Sequence, residues 1–161
     1  MADRLRDQPA FYAGAPYPAF RFLVTIPDVN GDPNEPTAGF SDVSGLGVEV
    51  NLSEYRAGNS PLLTTLKVPN TFKSDDVVLK RGLIGKGELF RWIRAYFVEG
   101  VIAPKTVSIT ILDEMGNPGG VELTLASAIP KKWVGPTLAA KGGGEVAMEE
   151  LHLAHHGIDW K

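Results

Sequence analysis

Three histidines, His152, His155 and His156, sit close together near the end of the chain and invite a metal reading. On a helix, the i, i+3 and i+4 spacing would bring all three to one face. On a strand, His152 and His156 share a face but stand roughly 13 Å apart, at about 3.3 Å per residue. Two such imidazoles cannot both reach one ion at about 2 Å from each nitrogen. Val146 and Met148, then Leu151 and Leu153, alternate in strand fashion, with a bulge expected at Glu149-Glu150. The histidines are therefore read as strand-end residues that hydrogen-bond or lie exposed, and no metal is expected.

The other chemistry-bearing residues give no site. Asp75-Asp76, Asp113-Glu114 and Glu149-Glu150 are adjacent carboxylates. General acid–base pairs need two groups facing one reaction centre in different environments, whereas neighbours on a strand point to opposite faces. These pairs read as surface charge. Gly142-Gly143-Gly144 lacks the following Lys-Ser/Thr and the strand-to-helix setting of a phosphate loop. Lys131-Lys132-Trp133 is a short basic-aromatic run in an acidic chain, a weak footing for nucleic acid. No serine occupies a Gly-x-Ser-x-Gly elbow. The expectation is no catalytic residue, no metal and no cofactor.

Composition bounds the rest. The chain has 161 residues, one domain's worth, with a net charge of −3. No basic bias draws it to nucleic acid or an anionic membrane. There is no cysteine, hence no disulfide framework. No apolar h-region opens the sequence and no run of about 18 apolar residues exists to span a bilayer. Synthesis in the cytoplasm is expected, with any extracellular role needing lysis or export of a finished assembly. Eighteen Gly and twelve Pro favour a turn-rich β architecture.

The elements follow from periodicity. Residues 1–19, with Pro9, Pro16 and Pro18, read as an irregular arm. It is either a disordered tail or, given Phe11, Tyr12 and Tyr17, an arm that docks on a neighbour. Phe20 to Ile26 alternates as a strand, with Phe20, Phe22, Val24 and Ile26 on one face. A second strand is expected from about Phe40 to Ser53. Leu46, Val48, Val50 and Leu52 take one side and Glu49, Asn51 and Ser53 the other, a sheet with one wet face. Residues 54–72 read as a loop, longer than the about 12–15 residues usual in compact domains and too apolar to be a free linker. Val77 to Arg81 is a short strand. Glu88 to Val98 is a helix with the stripe Leu89, Trp92, Ile93 and Tyr96, N-capped by Gly87 and ended by Gly100. Val107–Leu112 and Val121–Leu125 form a hairpin. Residues 129–144 read as irregular, and a last strand as running from about Glu145 to Ala154.

Read together, several short motifs resemble one family. They are Phe20-Arg21-Phe22, Gly39-Phe40-Ser41 through Gly45-Leu46, Glu54-Tyr55-Arg56-Ala57-Gly58-Asn59, Leu79-Lys80-Arg81-Gly82, Leu112 through Pro118, Pro130-Lys131-Lys132-Trp133, and Glu150-Leu151 through Gly157-Ile158. Their order and spacing over roughly residues 20–160 resemble the tail-tube proteins of contractile phages, R-type pyocins and extracellular contractile injection particles. Haemolysin-coregulated proteins of type VI secretion are more distant relatives. The resemblance implies a mainly β fold, a small antiparallel β-barrel or sandwich with one flanking α-helix, assembling as hexameric rings. Rings would stack into a hollow inner tube within a sheath, through which cargo protein or DNA passes. Implied partners are the chain itself, the sheath protein, and tube-initiator, spike and baseplate proteins. No membrane binding by the subunit is implied, and the end location is a virion tail or an extracellular injection particle.

By the same resemblance, functional residues are interface residues. Glu54, Tyr55, Arg56, Asn59, Leu62, Leu63 and Leu66, within an inter-subunit loop at 54–72, would contact other subunits or the next ring. Glu49, Asn51 and Ser53 would face the lumen. Alternatives within the same fold are a tube initiator joining tube to spike and a type VI secretion ring. Outside it, the competing class is an enzyme, for which the sequence offers no site.

Overall fold

Strict alternation of apolar and polar residues builds the central sheet. Val77 and Leu79 of β5 (Val77–Gly82), Val107 and Ile109 of β6 (Lys105–Leu112), Leu123 and Leu125 of β7 (Pro118–Val134), and Leu151 and Leu153 of β8 (Met148–Ala154) all turn inward. The computed structural model describes residues 16–27, 39–59, 64–85, 87–113 and 115–161. Strands β1 (Phe22–Thr25) and β2 (Asp42–Ser44) bound the sheet, whose order is β1-β6-β7-β8-β5-β2. A further strand, β9 (Gly157–Trp160), pairs with β7. All pairings are antiparallel.

The expected mainly β architecture with one helix is present, but the sheet stays open. Among the described residues, the hydrogen-bonded path ends at β1 and β2. Both edges line one groove, with Phe22, Val43, Ile109, Ile111 and Leu123 among its walls. The helix α1 (Glu88–Glu99) lies against β7 and supplies Leu89 and Trp92 to the core. Trp92 Nε1 donates to the Ala103 carbonyl at 3.3 Å. Gly100 ends the helix at φ 71°, a left-handed conformation costly for any residue with a Cβ, and its amide caps the Tyr96 carbonyl.

Several expected boundaries move. The strand expected over 40–53 is two strands, because Gly45 turns the chain at φ 80° and β3 (Val48–Tyr55) leaves the main sheet. The loop expected at 54–72 is in large part strand. Residues 54–55 complete β3, and β4 (Leu66–Ser74) returns antiparallel to it as a separate two-stranded sheet. Residues 129–134, expected irregular, are the second half of β7, and the last expected strand starts at Met148 rather than Glu145. Pro69 and Pro130 suggested loops. Each sits beside a register shift, where a residue without an N–H breaks no ladder bond. The bulge expected at Glu149-Glu150 is absent, because Glu149 and Glu150 pair in register with Arg81 and Lys80.

Candidate assembly interface

Among the described residues, nothing covers the β3–β4 hairpin. All eight residues of β3 are exposed, as are the first eight of β4. An isolated two-stranded hairpin is marginal in water, yet this one carries seven large apolar side chains that are 43–64% exposed. Its register sorts them. Val48, Val50 and Leu52 stand opposite Ser74, Phe72 and Pro69, giving one face an apolar base. Glu49 stands opposite Lys73 on the other face. There Asn51 Nδ2 donates to Thr71 Oγ1 at 3.1 Å and Asn70 Nδ2 to Ser53 Oγ at 3.2 Å. This second face is a charge-balanced, hydrogen-bonded polar ladder.

Toward the tip the polarity inverts. Glu54 pairs with Lys67 on the face that is apolar at the base, whereas Tyr55–Leu66 and Val68 lie on the polar side. The hairpin thus offers an apolar base on one side and an apolar tip on the other. The expected lumenal residues Glu49, Asn51 and Ser53 are brought together on the polar ladder. The expected contact residues Glu54, Tyr55, Arg56, Asn59 and Leu66 are all exposed. They do not share one face, since Glu54 lies opposite Tyr55 and Leu66. Leu62 and Leu63, like residues 1–15 of the expected arm, fall outside the described residues.

The base of the hairpin is pinned to the main sheet. The Asp75 amide donates to the Gly47 carbonyl at 3.1 Å. A Cβ on Gly45 would run into the Asp76 carbonyl. Lys131 forms an ion pair with Asp76, and His155 Nε2 lies 2.9 Å from the Asp75 carbonyl. This gives the histidines their place. His155 and His156 carry the chain from β8 to β9, with the His156 amide donating to the Ala126 carbonyl at 2.9 Å. His152 Nε2 stands 3.7 Å from Glu150 Oε2. Among the described residues, no group of three His, Cys, Asp or Glu is placed to hold a metal ion.

One set of residues departs from the sequence expectation. Glu149, expected at the surface, is fully buried and bonds Arg81 Nε at 2.6 Å, with Arg81 only 1% exposed. Trp133 Nε1 donates to the other carboxylate oxygen at 3.0 Å, and Glu88 at the start of α1 lies 3.9 Å from Arg81. The signal was available: Glu149 shares the parity of Leu151 and Leu153, the inward face of β8. On the outside, Lys80 and Glu150 form a bridge at 3.0 Å. Their mutual hydrogen bond raises the Lys80 pKa and lowers that of Glu150. Asp113 Oδ1 accepts the Met115 and Asn117 amides at 2.8 Å. The Asn117 amide is the main cause holding the Asp113 carboxyl below its ordinary value.

A second apolar surface, covered in part by the Phe90 ring packing on Trp133 at 5.0 Å, lies on α1. Beside the stripe Leu89, Trp92 and Ile93, the outer side shows Phe90, Phe97 and Val98 at 40%, 74% and 68% exposure, around exposed Arg94.

Among the described residues, an open β sheet, a helix apolar on two sides and an exposed amphipathic hairpin are the surfaces of a structural subunit rather than of a catalytic site. The sequence pattern of the T4-like virus tail tube protein gp19 family matches residues 18–159, and the chain belongs to that family. Among solved structures, it is similar to a chain of an extracellular contractile injection system, the PVC sheath-tube complex in the extended state. Identity there is 25%, with 96% of this chain and 97% of that one covered, at a TM-score of 0.80. A chain in the anti-feeding prophage cap structure (AFP tube terminating cap) matches at 25% identity over 100% and 99% of the two chains, with a TM-score of 0.78. Hcp1 from Flavobacterium johnsoniae shares the fold at 15% identity, over 88% and 94% of the chains, with a TM-score of 0.52. No curated protein sequence matches the chain closely enough to count as a relative.

Proposed function

We propose that this tail tube protein is the inner-tube subunit of a contractile injection particle, in which six copies close into a ring and rings stack into a hollow tube inside a sheath. The carrying observation is the bare β3–β4 hairpin, polar on one face and apolar on the other at its base. Turned outward at a ring's bore, its polar ladder of Glu49, Asn51 and Ser53 faces water, while its apolar base is covered by the adjoining copy. The inverted tip, with Tyr55 and Leu66, then reaches toward the next ring. Sheath, baseplate and cap are the partners suggested by the assemblies that hold its structural neighbours: a PVC sheath-tube complex, a six-fold symmetrised AFP baseplate and an AFP cap. Cargo would pass a wall whose Glu49 and Lys73 offset each other, so neither polyanion nor polycation is held strongly. The role is mechanical, and no catalytic step is assigned. Subunits are made in the cytoplasm and function in the finished particle. The same neighbours favour a contractile injection tube over a type VI secretion ring, since the haemolysin-coregulated protein is similar only at the level of the fold.

Negative-stain microscopy of the purified chain, with mass photometry, tests this reading. Rings with a central bore, or stacked tubes, are the expected result. A monodisperse monomer at high concentration, and no incorporation into tubes with sheath and baseplate present, overturns it.

A further inference from the structure

We propose that the apolar base of the β3–β4 hairpin of one copy seats on the outer face of α1 of the next copy, with Glu54 meeting Arg94. The proposal rests on the ring reading above and names the two surfaces that meet. Three observations carry it. First, the chain exposes two apolar faces of similar make-up: Val48, Val50, Leu52, Pro69 and Phe72 on the hairpin, and Phe90, Phe97 and Val98 on the helix. Contiguous apolar patches on a soluble chain mark places where something docks. Second, the two faces cannot satisfy each other within one chain, because all of these residues are exposed in it. Third, each apolar face is bordered by charge, a cross-strand Glu54–Lys67 pair on the hairpin that offers a carboxylate, and a guanidinium, Arg94, on the helix. Glu54 ends the hairpin's apolar row, with Lys67 across the strands from it, and Arg94 lies between Phe90 and Phe97 on the helix surface. In α1 these three residues stand at i, i+4 and i+7, a single stripe turned away from Leu89 and Trp92.

A contact between two different faces of the same chain is heterologous, and rotation closes such contacts into a ring. The occupant is a second copy rather than a sheath segment, since each copy supplies one of each surface and every ring position is then filled identically. The sheath is left as the competing occupant that the experiment excludes.

The chain has no cysteine, so single cysteines report cleanly. Leu52→Cys and Phe97→Cys chains, purified separately and mixed under mild oxidation, are expected to give a mixed disulfide dimer at least about tenfold over either chain alone. In parallel, Glu54→Arg and Arg94→Glu are each expected to raise the concentration for half-assembly about tenfold through like-charge contact. The double variant restores it. Thermal melting of each variant at a concentration below assembly checks that the monomer is intact. If wild-type rings form but the mixed disulfide does not, and the double variant assembles no better than the worse single one, the pairing is wrong and the ring reading stands. Crosslinking of Phe97→Cys to sheath alone, in assembled particles, also overturns it. A wild-type chain that never assembles removes both readings.

Discussion

The buried Arg81–Glu149 pair is the most demanding electrostatic feature of the monomer. Arg81 is 1% exposed and Glu149 fully buried, their shortest contact is 2.6 Å, and Trp133 and Glu88 complete the cluster. Two carboxylates thus share one guanidinium. Arg81→Met keeps most of the side chain's volume but withdraws the cation from both Glu149 and Glu88. Removing one partner of a buried ion pair costs about 3–5 kcal/mol. Glu149→Gln keeps the shape, keeps an acceptor for Trp133 Nε1 and leaves Arg81 with Glu88. It forfeits one charged hydrogen bond, about 1.5–3 kcal/mol. The order therefore follows from the geometry: Arg81→Met is the more damaging of the two. Urea unfolding followed by far-ultraviolet circular dichroism, below the assembly concentration, measures both. For a domain of this size the larger loss lowers Tm by roughly 6–20 °C, at about 2–4 °C per kcal/mol. The reasoning fails if Arg81→Met costs under about 1 kcal/mol, or if Glu149→Gln proves the worse substitution. The first outcome would mean that water or a proton relieves the two carboxylates left behind, and the second that Glu88, 3.9 Å away, does not hold Arg81 once Glu149 is neutral.

Three further outcomes are expected. Phe72→Lys, at a position 64% exposed in the chain, should change monomer stability by no more than about 0.5 kcal/mol while abolishing rings in negative stain; intact rings would contradict the role given to the hairpin base. Gly45→Ala combines a φ of +80° with a clash at the Asp76 carbonyl and should cost about 1–3 kcal/mol, read as a lowered Tm. In pH titrations, Asp113 and Glu150 have lowered folded pKa values, so their contribution is full above the ordinary values of 3.8 and 4.5 and fades as pH falls through the folded ones. Lys80 has a raised folded pKa, so its contribution is full below 10.5 and fades only as pH climbs beyond that. Asp113→Asn should thus lower Tm at pH 7, with the difference closing in strong acid; a difference independent of pH would contradict the assignment.

Much of the fold was legible because alternation and the helical stripe are local signals. β5, β6, the first half of β7 and α1 all lie where Val77–Arg81, Val107–Leu112, Val121–Leu125 and Leu89/Trp92 indicated. Two strands were hidden by proline. Pro69 and Pro130 mark loops by propensity, but both sit at register shifts where the missing N–H does no harm. β9 was missed because Gly157-Ile158-Asp159-Trp160 is short and follows two histidines rather than a turn signal. The polar row Glu49, Asn51 and Ser53 was visible at once. Alternation, however, does not say which chain covers the apolar row beside it, and Val48, Val50 and Leu52 proved bare. Adjacent carboxylates such as Glu149-Glu150 suggest surface charge, but Glu149 shares the inward parity of Leu151 and Leu153 and meets Arg81 there.

The two central seams of the sheet also govern when the protein can mature. β5 waits for β8 on one side, pairing Val77 with Leu153, and β7 waits for both β8 and β9. A chain emerging from the ribosome can form the local β6–β7 hairpin, but the support beneath Asp75 and Asp76 is missing until Lys131 and His155 have been made. At about 5–20 residues per second, several seconds of translation separate β4 from that support. The exposed hairpin consequently gains its fixed bearing only once Lys131 and His155, 55 and 80 positions further along the chain, have reached Asp76 and Asp75.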